Sequence, residues 1–134
     1  MKLLIILCAI IAIVAADWEP HSREEFSKHR EECIKEGKLS EEAAEKIRKH
    51  NYPDDEDTNC FIRCMGVKAG TWDDSKGYDV DRVYETFKVN NMEASKDDLK
   101  KCFHQLMDVS NCAWAANNMK CLWEHKYVVK KEAA

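Results

Sequence analysis

Ser110-Asn111-Cys112-Ala113-Trp114-Ala115-Ala116-Asn117-Asn118-Met119-Lys120-Cys121-Leu122-Trp123, residues 110–123, decides the fold. Ser110 or Asn111 can cap a helix here, because a short polar side chain accepts the unpaired amide N–H groups of a first turn. Cys112, Ala115, Ala116, Met119, Leu122 and Trp123 follow helical spacing on one side, and Trp114 and Cys121 fall on the other. A helix that is apolar on both sides is buried. Cys112 and Cys121 are nine positions apart, about 900° of helical rotation, so they point in opposite directions. The segment therefore predicts a central helix with a cysteine on each flank.

The helices around it are also legible. Ser22-x-x-Glu25 is a capping box for a helix carrying Phe26 and Cys33 and ending near Gly37. Ser40 with Glu41 and Glu42 starts a second, holding Ala43, Ala44 and Ile47 and stopping before Pro53. The acidic run Asp54-Asp55-Glu56-Asp57 feeds a third, with Cys60, Phe61, Cys64, Met65 and Val67 on its apolar side and Gly70 at its end. Asp79 opens a fourth, where Val80, Val83, Tyr84 and Phe87 keep the i, i+3, i+4, i+7 pattern. Ser95-x-x-Asp98 opens a fifth, with Leu99, Cys102, Phe103, Leu106 and Met107 on one face. With 4 glycines and 2 prolines in 134 residues, the pattern is six helices in one all-α domain.

The first 16 residues differ from the rest. Met1-Lys2 precedes an uncharged run from Leu3 to Val14, then Ala15 and Ala16, and Asp17 follows. A positive start, a short apolar core and a small-residue exit predict a secretory signal peptide over 1–16, with a mature domain over 17–134. The run is shorter than the roughly 20 residues of a spanning helix, so no stable membrane insertion is expected. The whole chain carries 21 basic and 25 acidic residues, net −4, a balance that would repel a nucleic-acid backbone.

Of 7 cysteines, Cys8 leaves with the signal peptide. The remaining Cys33, Cys60, Cys64, Cys102, Cys112 and Cys121 form an even set in a small secreted chain, which predicts three disulfides rather than thiol chemistry. Fifteen connectivities are open, although Cys60 and Cys64 share a helix face and more readily reach two different neighbours. No metal site or cofactor is expected. Asp55-x-Asp57-x-Asn59 resembles the start of a calcium loop, but Cys60 and Gly66 stand where such a loop needs Gly and Glu. His29 and Cys33 are four apart, but a disulfide at Cys33 would remove that ligand. Oxidised cysteines leave no thiolate nucleophile, and nucleophile-elbow, P-loop and H-E-x-x-H motifs are absent from the sequence, so no enzyme is expected.

The spacing Cys33-x26-Cys60-x3-Cys64-x37-Cys102-x9-Cys112-x8-Cys121 resembles that of the insect odorant-binding proteins, the pheromone-binding and general odorant-binding family. The tract from Trp72 through Gly77-Tyr78-Asp79 is similar to fly general odorant-binding proteins. The resemblance implies a six-helix fold around an internal apolar cavity, with disulfides Cys33–Cys64, Cys60–Cys112 and Cys102–Cys121. It also implies a secreted carrier of small hydrophobic ligands such as odorants, pheromones or fatty-acid-like molecules, with a chemosensory receptor as a further partner. The sensillum lymph, the haemolymph or another secretion would hold it. A haemolymph, seminal or salivary carrier of lipids or amines, or a module that presents a complex to a receptor, are the alternatives.

Aromatic and methionine side chains are the candidate lining. On the third and fourth helices these are Phe61, Met65, Val83, Tyr84 and Phe87. Later in the chain they are Phe103, Leu106, Met107, Trp114, Met119, Trp123 and Tyr127. Rings with polar tips can orient a ligand, and Met adapts to its shape. His104 and His125, near this set, would gain charge between about pH 7 and 5.

Overall fold

The structure is a computed structural model that describes residues 18–131. The segment 1–16 read as a signal peptide lies outside the described residues. Six helices occur among those residues: α1 (Arg23–Glu36), α2 (Glu41–Arg48), α3 (Glu56–Ala69), α4 (Val80–Val89), α5 (Lys96–Cys102) and α6 (Asn111–Glu124). Each begins at a short polar residue: Ser22, Ser40, Asp55, Asp79, Ser95 and Ser110 in turn. The side chain of each accepts a backbone N–H three residues on. Such caps contribute about 1 kcal/mol apiece. No helix among the described residues is long and apolar enough to cross a membrane.

Three disulfides hold the helices, paired as the resemblance implies. Cys33–Cys64 joins α1 to α3, Cys60–Cys112 joins α3 to α6, and Cys102–Cys121 joins the end of α5 to α6. Their Cα separations of 5.9, 4.5 and 5.6 Å lie in the ordinary range. Such bonds fit an extracellular protein. Helix α6 is central: Ala115, Ala116 and Leu122 have no exposed surface, and its interface with α3 is the most extensive between any two elements.

Two apolar cores result. A smaller one, between α1, α2 and α3, gathers Cys33, Ile34, Ala44, Ile47 and Phe61. The larger brings α4, α5 and α6 together through Val83, Phe87, Leu99, Cys102, Trp114 and Leu122. Two short antiparallel ribbons flank it. Strand β1 (Trp72–Asp73) pairs with β2 (Gly77–Tyr78), while β3 (Met92–Glu93) pairs with β4 (Val129–Lys130) and so draws Val128 into the core.

Two sequence expectations are corrected. Helix α5 stops at Cys102 instead of running through Met107. Phe103 leaves helical geometry at φ −91°, ψ 87°, and its ring stacks on Tyr78 at 4.9 Å. The next carbonyl, His104 O, accepts hydrogen bonds at 3.1 Å from both Trp114 Nε1 and Asn118 Nδ2, so the chain is bound to α6 instead of to its own helix. Met107, on this connection, is 75% exposed. Trp123 is 49% exposed, not interior. Full burial of Leu122 fixes the rotation of α6, and the residue one position on comes out at the rim, edge-to-face with Phe87 at 6.4 Å.

Candidate functional site

The site is built on the hairpin between α3 and α4. Asp73 Oδ1 accepts from the backbone N–H groups of Ser75 and Lys76, at 2.7 and 3.1 Å, and so folds the turn. Gly77 follows at φ +82°, a region that disfavours side chains, and a Cβ there would come within 2.9 Å of Trp114 Cζ2. On the other side, a Cβ at Gly66 of α3 would meet Trp72 Cβ at 2.8 Å. Two glycines thus let the hairpin lie directly between α3 and the Trp114 indole.

Four rings meet there. Trp72 packs edge-on against Tyr78 at 4.8 Å and against Trp114 at 4.7 Å, and Tyr78 stacks on Phe103. Each such pair adds roughly 0.5–1.5 kcal/mol beyond area burial. The Tyr78 hydroxyl donates to Ala115 O at 3.1 Å, and burial pushes its phenol up from the usual value.

The hairpin is anchored to α3 by charge. Arg63 donates to both carboxylate oxygens of Asp74, and Trp72 Nε1 donates to Asp74 Oδ1 at 2.7 Å. The Arg63 guanidinium first, and then the Trp72 indole, hold the Asp74 carboxyl down to about 2 from the usual 3.8. A depressed folded-state value stabilises the fold above about pH 4, and this contribution is lost as pH falls toward 2. The pair is partly exposed, so solvent limits it to about 1 kcal/mol. Asp74→Asn is therefore expected to lose less stability than the wild type between pH 4 and pH 2 in thermal unfolding. Parallel curves for the two proteins would contradict this.

A recess of about 130 Å³ opens at the ring cluster, lined by Tyr78, Phe103 and Trp114 with Ser75, Lys76, Gly77, His104, Gln105 and Asn118. Aromatic walls meet a polar rim, and Asn118, only 3% exposed, sits at the junction. The volume is below the roughly 300–1,000 Å³ of typical ligand sites. The adjoining side chains that would bound a larger space pack against one another as core.

The expected lining residues divide into three groups. Val83, Phe87 and Trp114 are in the larger core, and Tyr84, Phe103, Leu106, Met119 and Tyr127 pack against it. Phe61 is buried in the smaller core, and Met65 packs against that one. Met107 and Trp123 are exposed. The hairpin aromatics Trp72 and Tyr78, which helical periodicity could not register, are the additions. Asp73 followed by Ser75 and Gly77 was the available turn signal. His104 and His125 have exposed side chains.

A second recess, of about 240 Å³, lies on the smaller core beside Phe61, Leu39 and the Cys33–Cys64 disulfide. Three clusters pair a cysteine sulfur with Glu36, Glu56 or His125, but every sulfur in them is bound in a disulfide and offers no thiolate to a metal. Asp55, Asp57 and Asn59 form the cap and first turn of α3 rather than a calcium loop.

Comparison with known proteins agrees with this architecture. The model of the PBP/GOBP family matches residues 15–125. General odorant-binding protein 99a of Drosophila melanogaster is 31% identical over 126 residues, covering 91% of this chain and 89% of the relative. Odorant-binding protein 22 of Aedes aegypti is 30% identical over 122 residues, 90% of this chain and 88% of its own length. Among solved structures, a fatty acid binding protein, OBP56a, from the oral disk of the blowfly Phormia regina superposes with a TM-score of 0.61 at 26% identity. It covers 78% of this chain and 90% of that one. Odorant binding protein 5 of Apis mellifera shares the fold alone, with a TM-score of 0.58 at 16% identity over 80% of this chain and 93% of that one. These relatives are described as odorant-binding or fatty acid binding proteins. With six helices and three disulfides among its described residues, the chain belongs to the PBP/GOBP family of odorant-binding proteins.

Proposed function

We propose that this protein is a secreted carrier that holds a small hydrophobic ligand with one polar end and releases it unchanged. The observation that carries this reading is the recess itself, which sets the rings of Tyr78, Phe103 and Trp114 behind a rim of Lys76, His104 and Gln105. The apolar body of the ligand lies against the rings, where burial stabilises it by about 25 cal/mol per Å². Its polar end stays at the rim. Lys76 forms no ion pair among the described residues, and its ammonium suits a carboxylate. The blowfly neighbour, described as a fatty acid binding protein, supports a ligand of that type. No carboxylate lines the recess, which weighs against an amine.

A ligand larger than the recess enters as Phe103 swings outward, and the ring then closes against its apolar body. This residue sits on the irregular α5–α6 connection, which Trp114 and Asn118 hold at one carbonyl. The reading includes removal of residues 1–16 during secretion. A role in olfaction and delivery to a receptor would follow from the tissue of expression.

The test is displacement of a fluorescent apolar probe by dodecanoic acid and by dodecanol. Phe103→Ala is expected to weaken both ligands by about 1–3 kcal/mol. Lys76→Gln is expected to weaken the acid and spare the alcohol. Unchanged affinity of Phe103→Ala for both would place the site elsewhere.

A further inference from the structure

Where the chain before α1 meets the end of α4, two histidines meet. His21 lies one residue before the cap of α1, and its carbonyl accepts from Asn90 Nδ2 at 2.9 Å, which fixes the N-terminal arm against the end of α4. His29 lies two turns along α1. His21 Nδ1 is 2.7 Å from His29 Nε2, and Phe26 walls the pair, with ring centroids 6.3 and 5.9 Å away. A carboxylate stands beside them: Glu25 Oε2 is 3.6 Å from His21 Nδ1.

We propose that His21, His29 and Glu25 form a binding site for a divalent transition-metal ion of the zinc class.

The geometry of the pair supports it. A contact of 2.7 Å between imidazole nitrogens needs at least one of them unprotonated, so a lone pair already points into the site.

Glu25 becomes a third ligand once its side chain turns toward His29. The backbone N–H and the hydroxyl of Ser22 both lie 3.3 Å from its Oε1, which leaves Oε2 on the side of His21. Glu25 and His29 are four residues apart on one helix, so they project from the same face. Zinc–nitrogen bonds of about 2.0 Å at a tetrahedral angle separate two nitrogens by about 3.3 Å. The pair must therefore open by about 0.6 Å and Glu25 swing inward. His21 can give way because it lies outside the helix. Imidazole with a single carboxylate suits zinc, copper or nickel over calcium or magnesium.

The experiment is calorimetric titration of the disulfide-bonded, untagged protein with zinc chloride at pH 7.5. The expected result is one zinc per chain, weakened about tenfold or more in His21→Gln and in His29→Gln. Glu25→Gln should weaken it less, while His50→Gln and His125→Gln should bind as the wild type does. Cobalt(II) should give a visible d–d absorption that His21→Gln abolishes. His21→Gln leaves the Ser22 cap and the core intact, so it reports even if the helical variant folds poorly. Absence of zinc uptake by the wild type, or His21→Gln binding as tightly as the wild type, would overturn the proposal.

Discussion

Replacing Cys60 and Cys112 together by Ser is expected to lower the unfolding free energy by about 4 kcal/mol. The bond spans 52 residues, against 31 for Cys33–Cys64 and 19 for Cys102–Cys121. Closing a longer loop removes more conformations from the unfolded chain, and the same scaling assigns the shortest loop about 3 kcal/mol. Native packing reinforces the order. The Cys60–Cys112 bond fastens the first turn of α6 to α3 at the most extensive interface of the fold, beside buried Thr58, Asn59 and Phe61. A domain of this size is stable by only about 5–15 kcal/mol in total, so the variant loses a large share. Guanidinium unfolding of the three paired Cys→Ser variants measures this. The largest loss from the Cys102–Cys121 variant would refute the account.

The helices are legible in the sequence because each carries its own period and most carry their own start signal. The start signals at Ser22, Ser40, Asp79, Ser95 and Ser110 and the six cysteine positions act over short stretches of sequence, and the structure uses all of them. Information was lost where one element depends on another. Phe103 to Met107 continue the apolar period of α5, but the His104 carbonyl finds partners on α6 and the helix ends early. Periodicity placed Phe61 and Met65 on an apolar face without saying which of two cores that face would join. Trp72 and Tyr78 lie in two-residue strands, too short to show alternation, and their pairing depends on Gly77 and on the indole across from it. His21 and His29 meet although one lies outside the helix that holds the other, a proximity no single period encodes.

Trp114→Ala is expected to cost about 3–5 kcal/mol of stability and to abolish ligand binding at the recess. Trp114 is the shared wall of the site. Its ring is 6% exposed, packs edge-on against Trp72, and forms the surface that Gly77 approaches. Its Nε1–H also holds the His104 carbonyl, and with it the Phe103 side of the recess. Truncation removes the ring contacts, leaves a void the rigid hairpin cannot fill, and leaves Asn118 as the other donor to His104 O. Trp114→Phe separates these effects, since it keeps an aromatic wall and loses the N–H. The smaller change should cost about 1–3 kcal/mol and reduce ligand affinity modestly. Chemical unfolding and probe displacement on both variants decide the matter. If Trp114→Ala stays folded under its disulfides and still binds dodecanoic acid as the wild type does, the ring cluster is purely structural and the ligand lies elsewhere.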